Sequence, residues 1–247
     1  MLAIAAYQVT ARVGWIFKTE TIIMPAILDA VADAGFLRGM LPVLARFGQS
    51  LPPLAFAGRL AKMPLKKRPI IATTLAIAAS FGLLSAAWSW LAGQHPLLLA
   101  VLYLGLYAVF AVSNGLNLLV LATLQGKLVP VASRGRLMLL NTTVGSVLAI
   151  VAAVMLLGPW LEQGESAFPK IFMATAVFFT LAAFVPSLID EPATLPEKST
   201  SQASHGVGLA ASFRGWRDML TADAGLARLC LVAMFFSVAL FLFPHYQ

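Results

Sequence analysis

The chain has 247 residues, 60% of them hydrophobic and 11% charged, with a mean hydropathy of +0.87 and a formal net charge of +7. Soluble domains carry about 25% charged residues, so this is not the composition of an ordinary soluble domain. The apolar residues fall in runs of about twenty, the helix length that crosses a hydrocarbon core of roughly 30 Å at 1.5 Å per residue. The ten-residue segments of alternating polarity that a transmembrane β-barrel needs are missing. The predicted fold class is all-α, a polytopic membrane helical bundle of about seven transmembrane helices. In a soluble protein the positive charge would suggest nucleic acid. Here it belongs to loops facing the cytoplasm and anionic lipid, and no nucleic-acid partner is expected. The single cysteine, Cys230, lies in an apolar run, which excludes an internal disulfide framework and a Cys-cluster metal site. No metal or cofactor is expected.

In chain order, Met1 to Tyr7 lacks the basic start of a removable signal peptide. Span 1 is predicted from Leu2 to Leu28, interrupted by Arg12, Lys18 and Glu20, and Asp29 to Gly35 is an acidic loop. Span 2 runs from Phe36 to Leu60 and carries Arg46, Gln49, Pro52 and Pro53. A strongly basic loop follows, with Arg59, Lys62, Lys66, Lys67 and Arg68. Span 3 is Ile70 to Leu91, ending at Trp88 and Trp90, where an aromatic belt is expected. Gly93 to Pro96 turns the chain into span 4, Leu97 to Leu124, and Gln125 to Arg136 is a second basic loop. Span 5 is Leu137 to Leu157, with Gly158-Pro159 as its stop, and span 6 is Ile171 to Leu188. These six spans form a predicted domain over residues 1–188. Residues 189–225 read as a cytoplasmic linker rich in Ser, Thr and Pro. It holds a short amphipathic helix in which Phe213, Trp216 and Leu220 share a face, lying on the membrane or on the ends of the spans. Residues 226–247 supply span 7 and start a further domain.

With the N-terminus inside, the loops after spans 2, 4 and 6 and their edges hold twelve Lys and Arg residues, against Arg38 and Lys170 outside. Basic side chains resist transfer across a bilayer, so only this orientation is consistent with the count.

Six spans, a polar cytoplasmic linker and a seventh span resemble the layout of major facilitator superfamily transporters. The loop after span 2 resembles that family's Gly-x-Leu-Ala-Asp-Arg-x-Gly-Arg-Lys through Gly58, Leu60, Ala61 and the basic end Lys66-Lys67. Lys62 stands where the family has its acid, Met63 where it has Arg and Leu65 where it has Gly. That acid helps latch the family's two halves, so the latch is in question here. Pro130 and Arg134-Gly135-Arg136 resemble the family's element after span 4, and Phe213 to Leu229 its approach to span 7. The resemblance implies alternating access by an N-terminal six-helix half, in a multi-pass protein of the bacterial inner membrane. Gly58, Lys62, Lys66, Lys67, Arg68, Arg134 and Arg136 would form its gating loops. It covers about half of a family member, so a second half or a dimer partner is expected beside the lipid bilayer, and the chain reads as a piece or a truncated product. The family motif tied to proton coupling is absent from span 4, which has no Arg.

A charge in a bilayer is costly and usually faces a cavity. Lys18, Glu20 and Arg46 are therefore pathway candidates. Lys18 could instead snorkel to the inner surface, and Glu20 could pair with Arg46 or titrate as a proton-coupling carboxylate. Gln49 shares a face with Arg46. In span 4, Tyr103, Tyr107, Asn114 and Asn117 fall on about one face, as a water-filled path or as interhelical glue. Asn141, Thr142 and Thr143 read as packing or capping.

The expected function is transport of a small solute, with a coupling proton left open and the substrate unnamed. A membrane-embedded enzyme is disfavoured because His95, His205 and His245 are dispersed and the acidic pair Asp190-Glu191 lies in the linker. A retinal protein needs a Lys in its last span, and span 7 has none. A non-transporting remnant is the remaining alternative.

Overall fold

The computed structural model describes residues 2–18, 23–31, 35–192 and 209–242. It divides into two compact units, Met1–Pro196 and Glu197–Gln247. All regular structure among the described residues is helical.

The first unit opens with α1 (Leu2–Ile16) and α2 (Ile23–Val31). These replace the single span predicted over Leu2 to Leu28. The chain leaves α1 in a turn at Phe17 and Lys18, where the Lys18 amide still donates to Trp15 O at 3.1 Å. Next come α3 (Gly35–Lys62) and α4 (Lys67–Leu91), then α5 (Pro96–Leu128) and α6 (Val131–Ala152). The second basic loop shrinks accordingly: Gln125 and Lys127 are the last turn of α5, and Arg134 and Arg136 the first turns of α6. Pro130 sets the break, since it has no amide to donate and disfavours α geometry in the residue before it.

Gly158-Pro159 is not a stop. A π-helical segment, Ala153–Leu157, carries the chain from α6 into α7 (Gly158–Leu161), in which Pro159 sits in the first turn, where its missing amide costs nothing. The run Val131–Leu161 is therefore continuous. After a 3-10 turn at Gly164–Ala167, α8 (Phe168–Phe184) ends in a second 3-10 turn, Val185–Leu188.

Four helical runs are long and apolar enough to cross a membrane: Lys67–Leu91, Pro96–Leu128, Val131–Leu161 and Gly164–Leu188. Their outward faces are apolar. Leu97, Val101, Leu139, Val154, Met155 and Leu181 each leave at least half of their surface bare. A soluble protein rarely exposes contiguous apolar area on this scale. Such a surface is compatible with a lipid surround.

The packing has an internal exchange symmetry. α3 packs on α5 as α1 packs on α6, α4 packs on α5 as α1 packs on α8, and α4 packs on α8. Swapping α1, α3 and α4 for α5, α6 and α8, in order, turns this set of pairs into itself. α2 stands outside the exchange, against α3 and α5. The α3–α5 crossing is made by two glycines. A Cβ on Gly115 would strike Gly48 O, and one on Gly48 would lie 2.6 Å from Ala111 O. Small residues let helix backbones approach closely where lipid provides no hydrophobic drive. Between the helices lies an aromatic core: Phe81 meets Phe110 at 5.2 Å and Trp88 meets Phe168 at 5.1 Å between ring centres.

The second unit holds α9 (Leu209–Ala222), at the predicted amphipathic helix, and α10 (Ala224–Leu242), at predicted span 7. Asp223 joins them: its Oδ1 accepts from the amides of Gly225 at 2.8 Å and Leu226 at 3.2 Å, capping α10. Most of the predicted linker, residues 193–208, lies outside the described residues.

Candidate functional site, a cavity between α1, α5 and α6

The first unit contains a cavity of about 710 Å³. Each wall is a helix face read out by the three-to-four residue repeat. From α1 come Tyr7, Gln8, Ala11, Arg12 and Trp15. From α5 come Asn114, Asn117, Leu118, Leu121 and Gln125, and from α6 Arg134, Leu137, Met138, Asn141 and Thr142. Ile77 and Phe179 complete it from α4 and α8. Two arginines and several amides thus face one space, and no Asp or Glu lines it among the described residues.

One wall is fixed by a closed hydrogen-bond network. The Tyr7 hydroxyl donates to Asn117 Oδ1 at 2.9 Å and lies 3.0 Å from Thr74 Oγ1. Asn117 Nδ2 donates to Thr73 Oγ1 at 3.0 Å and Thr74 Oγ1 at 2.8 Å. Both threonine hydroxyls donate onward to backbone carbonyls of α4, that of Thr74 to Ile70 O at 2.6 Å. Asn117 therefore lines the cavity and also ties α1, α4 and α5 together.

The α6 wall is different. Asn141 is 7% exposed, and its Oδ1 has no hydrogen-bond partner. A buried carbonyl oxygen without a donor is destabilising by about 1–3 kcal/mol. Nearby, the stem of Arg12 lies over Gly145, where an added Cβ would stand 2.9 Å from Arg12 Cδ. Arg134 is anchored at the end of α5, with Nε donating to Val129 O and Nη2 to Gly126 O, each at 3.2 Å. Its charge sits at the negative end of the α5 dipole.

Lys18 does not snorkel. It is 1% exposed, with Nζ 4.1 Å from the Trp15 ring centre and 4.0 Å from that of Phe110. The ring faces carry negative potential, which favours a cation held there. Trp15 thus has Lys18 on its ring and the cavity beside it. Glu20 lies outside the described residues.

The other predicted pathway residues separate. Asn114 is buried and lines the cavity beside Asn117. Tyr103 and Tyr107 do not line it. They stack on each other at 6.4 Å, and the Tyr103 hydroxyl donates to Met24 O at 3.1 Å, tying α5 to α2. Arg46 is exposed on α3 and Gln49 half-buried, and neither lines this cavity. Arg12, Gln8, Asn141 and Thr142 are the residues that sequence reasoning missed as lining. Arg12 was signalled by its charge within a predicted span, and the others only by helical spacing, Gln8 to Arg12 and Arg134 to Asn141.

The basic loops form a second cluster around Glu191, whose side chain is fully buried. Its Oε1 accepts from the Lys66 amide at 2.8 Å and Lys127 Nζ at 2.7 Å, and its Oε2 from the Lys67 amide at 2.8 Å. The carboxylate thus caps the N-terminus of α4, where the helix dipole favours negative charge. Burial raises the Glu191 carboxyl, but the Lys127 hydrogen bond and the two amides outweigh it and leave it below its usual value. Burial also pushes the Lys66 ammonium down, against the pull of Glu191. Lys66 Nζ donates to Leu60 O and Lys67 Nζ to Ile189 O. Gly58 lies within α3 with open space at its Cα, Lys62 ends that helix, and Arg68 and Arg136 are exposed. Glu191 is thus the acid that meets the basic residues at the ends of α4 and α5.

No protein-family model matches the chain, and neither a curated protein nor a solved structure is similar to it.

Proposed function

We propose that this chain is part of a membrane solute carrier that holds its cargo in the cavity between α1, α5 and α6 and works by alternating access, in the manner of the major facilitator superfamily. The cavity carries the reading: about 710 Å³ of space, in which two arginines and several amides stand among apolar side chains. That volume lies within the roughly 300–1,000 Å³ range of small-molecule sites. The exchange symmetry supports it, because carriers of this type are built from repeated helix triplets with the cargo site at their interface. In this reading α1 with α2, and α3, are also crossings, and α10 is the seventh. α3 has 28 residues, enough for about 42 Å at 1.5 Å per residue. The basic cluster at the ends of α3, α4 and α5 faces the cytoplasm with the N-terminus, in a bacterial inner membrane.

Sided chemical labelling tests this. Cys230 is the only cysteine, so Cys230→Ser with Thr142→Cys leaves one thiol, in the cavity. A carrier predicts its reaction with a membrane-impermeant maleimide in both right-side-out and inverted vesicles. Reaction from one side only would refute alternating access and leave a one-sided binding pocket.

A further inference from the structure

The cavity lining is chemically selective in two respects. Its ionised groups are all cationic: Arg12 and Arg134 face it, with no carboxylate among the described lining residues. Arg134 has backbone partners for Nε and Nη2, while Arg12 has no carboxylate within ion-pair distance among the described residues. The second respect is Asn141 Oδ1, a buried acceptor without a donor. Asn117, by contrast, has both N–H donors placed on threonine hydroxyls and its Oδ1 engaged by Tyr7.

We propose that the cavity binds a small water-soluble organic anion that carries its own hydrogen-bond donor, a hydroxy- or amido-carboxylate. Arg12 takes the carboxylate, Arg134 adds fixed positive potential, and Asn141 Oδ1 accepts from the ligand's O–H or N–H. A planar guanidinium matches a carboxylate with two parallel hydrogen bonds. A neutral polyol would satisfy Asn141 but leave Arg12 unpaired. A plain fatty carboxylate would pair Arg12 but leave Asn141 bare. A cation would be repelled by both arginines. The Gly145 notch gives Arg12 a fixed seat, so its charge is positioned before the ligand arrives. The inference rests on the carrier reading only in taking this cavity as the cargo site.

The test is equilibrium binding to the full chain in phosphatidylcholine nanodiscs, read as a shift in thermal unfolding midpoint. The probes are gluconate, lactate and pantothenate, against glucose and hexanoate. At least one of the first three should stabilise the wild type more than either control. Arg12→Gln should weaken that probe by about tenfold or more, the usual effect of losing a charge-assisted hydrogen bond, with Arg12→Lys retaining part of the affinity. Asn141→Leu should weaken the same probe while leaving hexanoate unchanged, a result that mere loss of packing would not give. Each variant is first required to unfold in the wild-type transition without ligand, and Arg12→Lys serves if Arg12→Gln does not. Equal binding of glucose, indifference to both Arg12 variants, or no binding by any hydroxylated carboxylate would overturn the proposal. So would an effect of Arg12 that emerges only when phosphatidylglycerol is added, because the occupant would then be a lipid headgroup. Binding is read without transport, so the anion preference and the sided labelling of Thr142→Cys can fail independently.

Discussion

Arg12 rests its side chain on Gly145: a Cβ added at 145 would stand 2.9 Å from Arg12 Cδ and 3.5 Å from its Cβ. One helix thus provides the charge and another the notch that holds it. Gly145→Ala should leave the fold intact, since the far part of an Arg stem can shift, and should even favour α6 by roughly 0.5–1 kcal/mol through helix propensity. It should nevertheless weaken anion binding severalfold by moving the guanidinium. Isothermal titration of the variant beside its unfolding curve checks this. Unchanged affinity would show that Arg12 is not held by the notch.

The α3–α5 crossing leaves no such room. In Gly115→Ala the new methyl meets backbone, Gly48 O and Gln49 Cα at 2.9 Å, and backbone cannot swing aside. The helices must part, at a cost of about 1–3 kcal/mol for overpacking. Gly48→Ala should cost a similar amount, and the double variant less than the sum, because both open the same contact. Unfolding in a mild detergent series measures all three.

Tyr7→Phe removes one hydroxyl from the network around Asn117. Interhelical hydrogen bonds in membranes average about 0.6 kcal/mol, with a maximum near 1.7, so the loss should fall in that range. Asn117→Leu should cost more, because Tyr7, Thr73 and Thr74 all lose a partner at once. Equal losses for the two variants would mean that the network does not act as a unit.

Glu191→Gln should destabilise the first unit by about 3 kcal/mol, the scale for breaking a buried ion pair. The pH dependence has a definite sign. The folded Glu191 carboxyl lies below its usual value near 4.5, so its contribution is complete above that value and disappears as pH falls through the lower folded value. Wild type and variant should therefore differ at neutral pH and converge in acid. A gap that widened toward low pH would contradict the contacts around Lys127.

Four of the helices were legible because long apolar runs announce themselves, and so was α9, from Phe213, Trp216 and Leu220. Helix ends were less legible. Gly158-Pro159 resembles a stop, but a π-helical turn before it preserves the helix, and nothing local in Ala153–Leu157 signals that geometry. The break after Ile16 was hidden by apolar sequence on both sides. The four residues of the stripe from Tyr103 to Asn117 are all buried, yet periodicity gives a face and not what the face meets. Its tyrosines end on Met24 and its asparagines in the cavity. Glu191 was read as linker because its partners, Lys66, Lys67 and Lys127, are remote in sequence and meet it only through folding.

That remoteness has a consequence for how the protein is made. The amide of Lys67 receives its carboxylate from 124 residues downstream. During synthesis α4 must therefore wait, its N-terminus uncapped and its neighbouring lysines unneutralised, until α5, α6 and α8 have all left the ribosome. The clasp closes on a residue that follows α8 in the chain. A first unit cut short before Glu191 would keep an open, cationic corner at the start of α4.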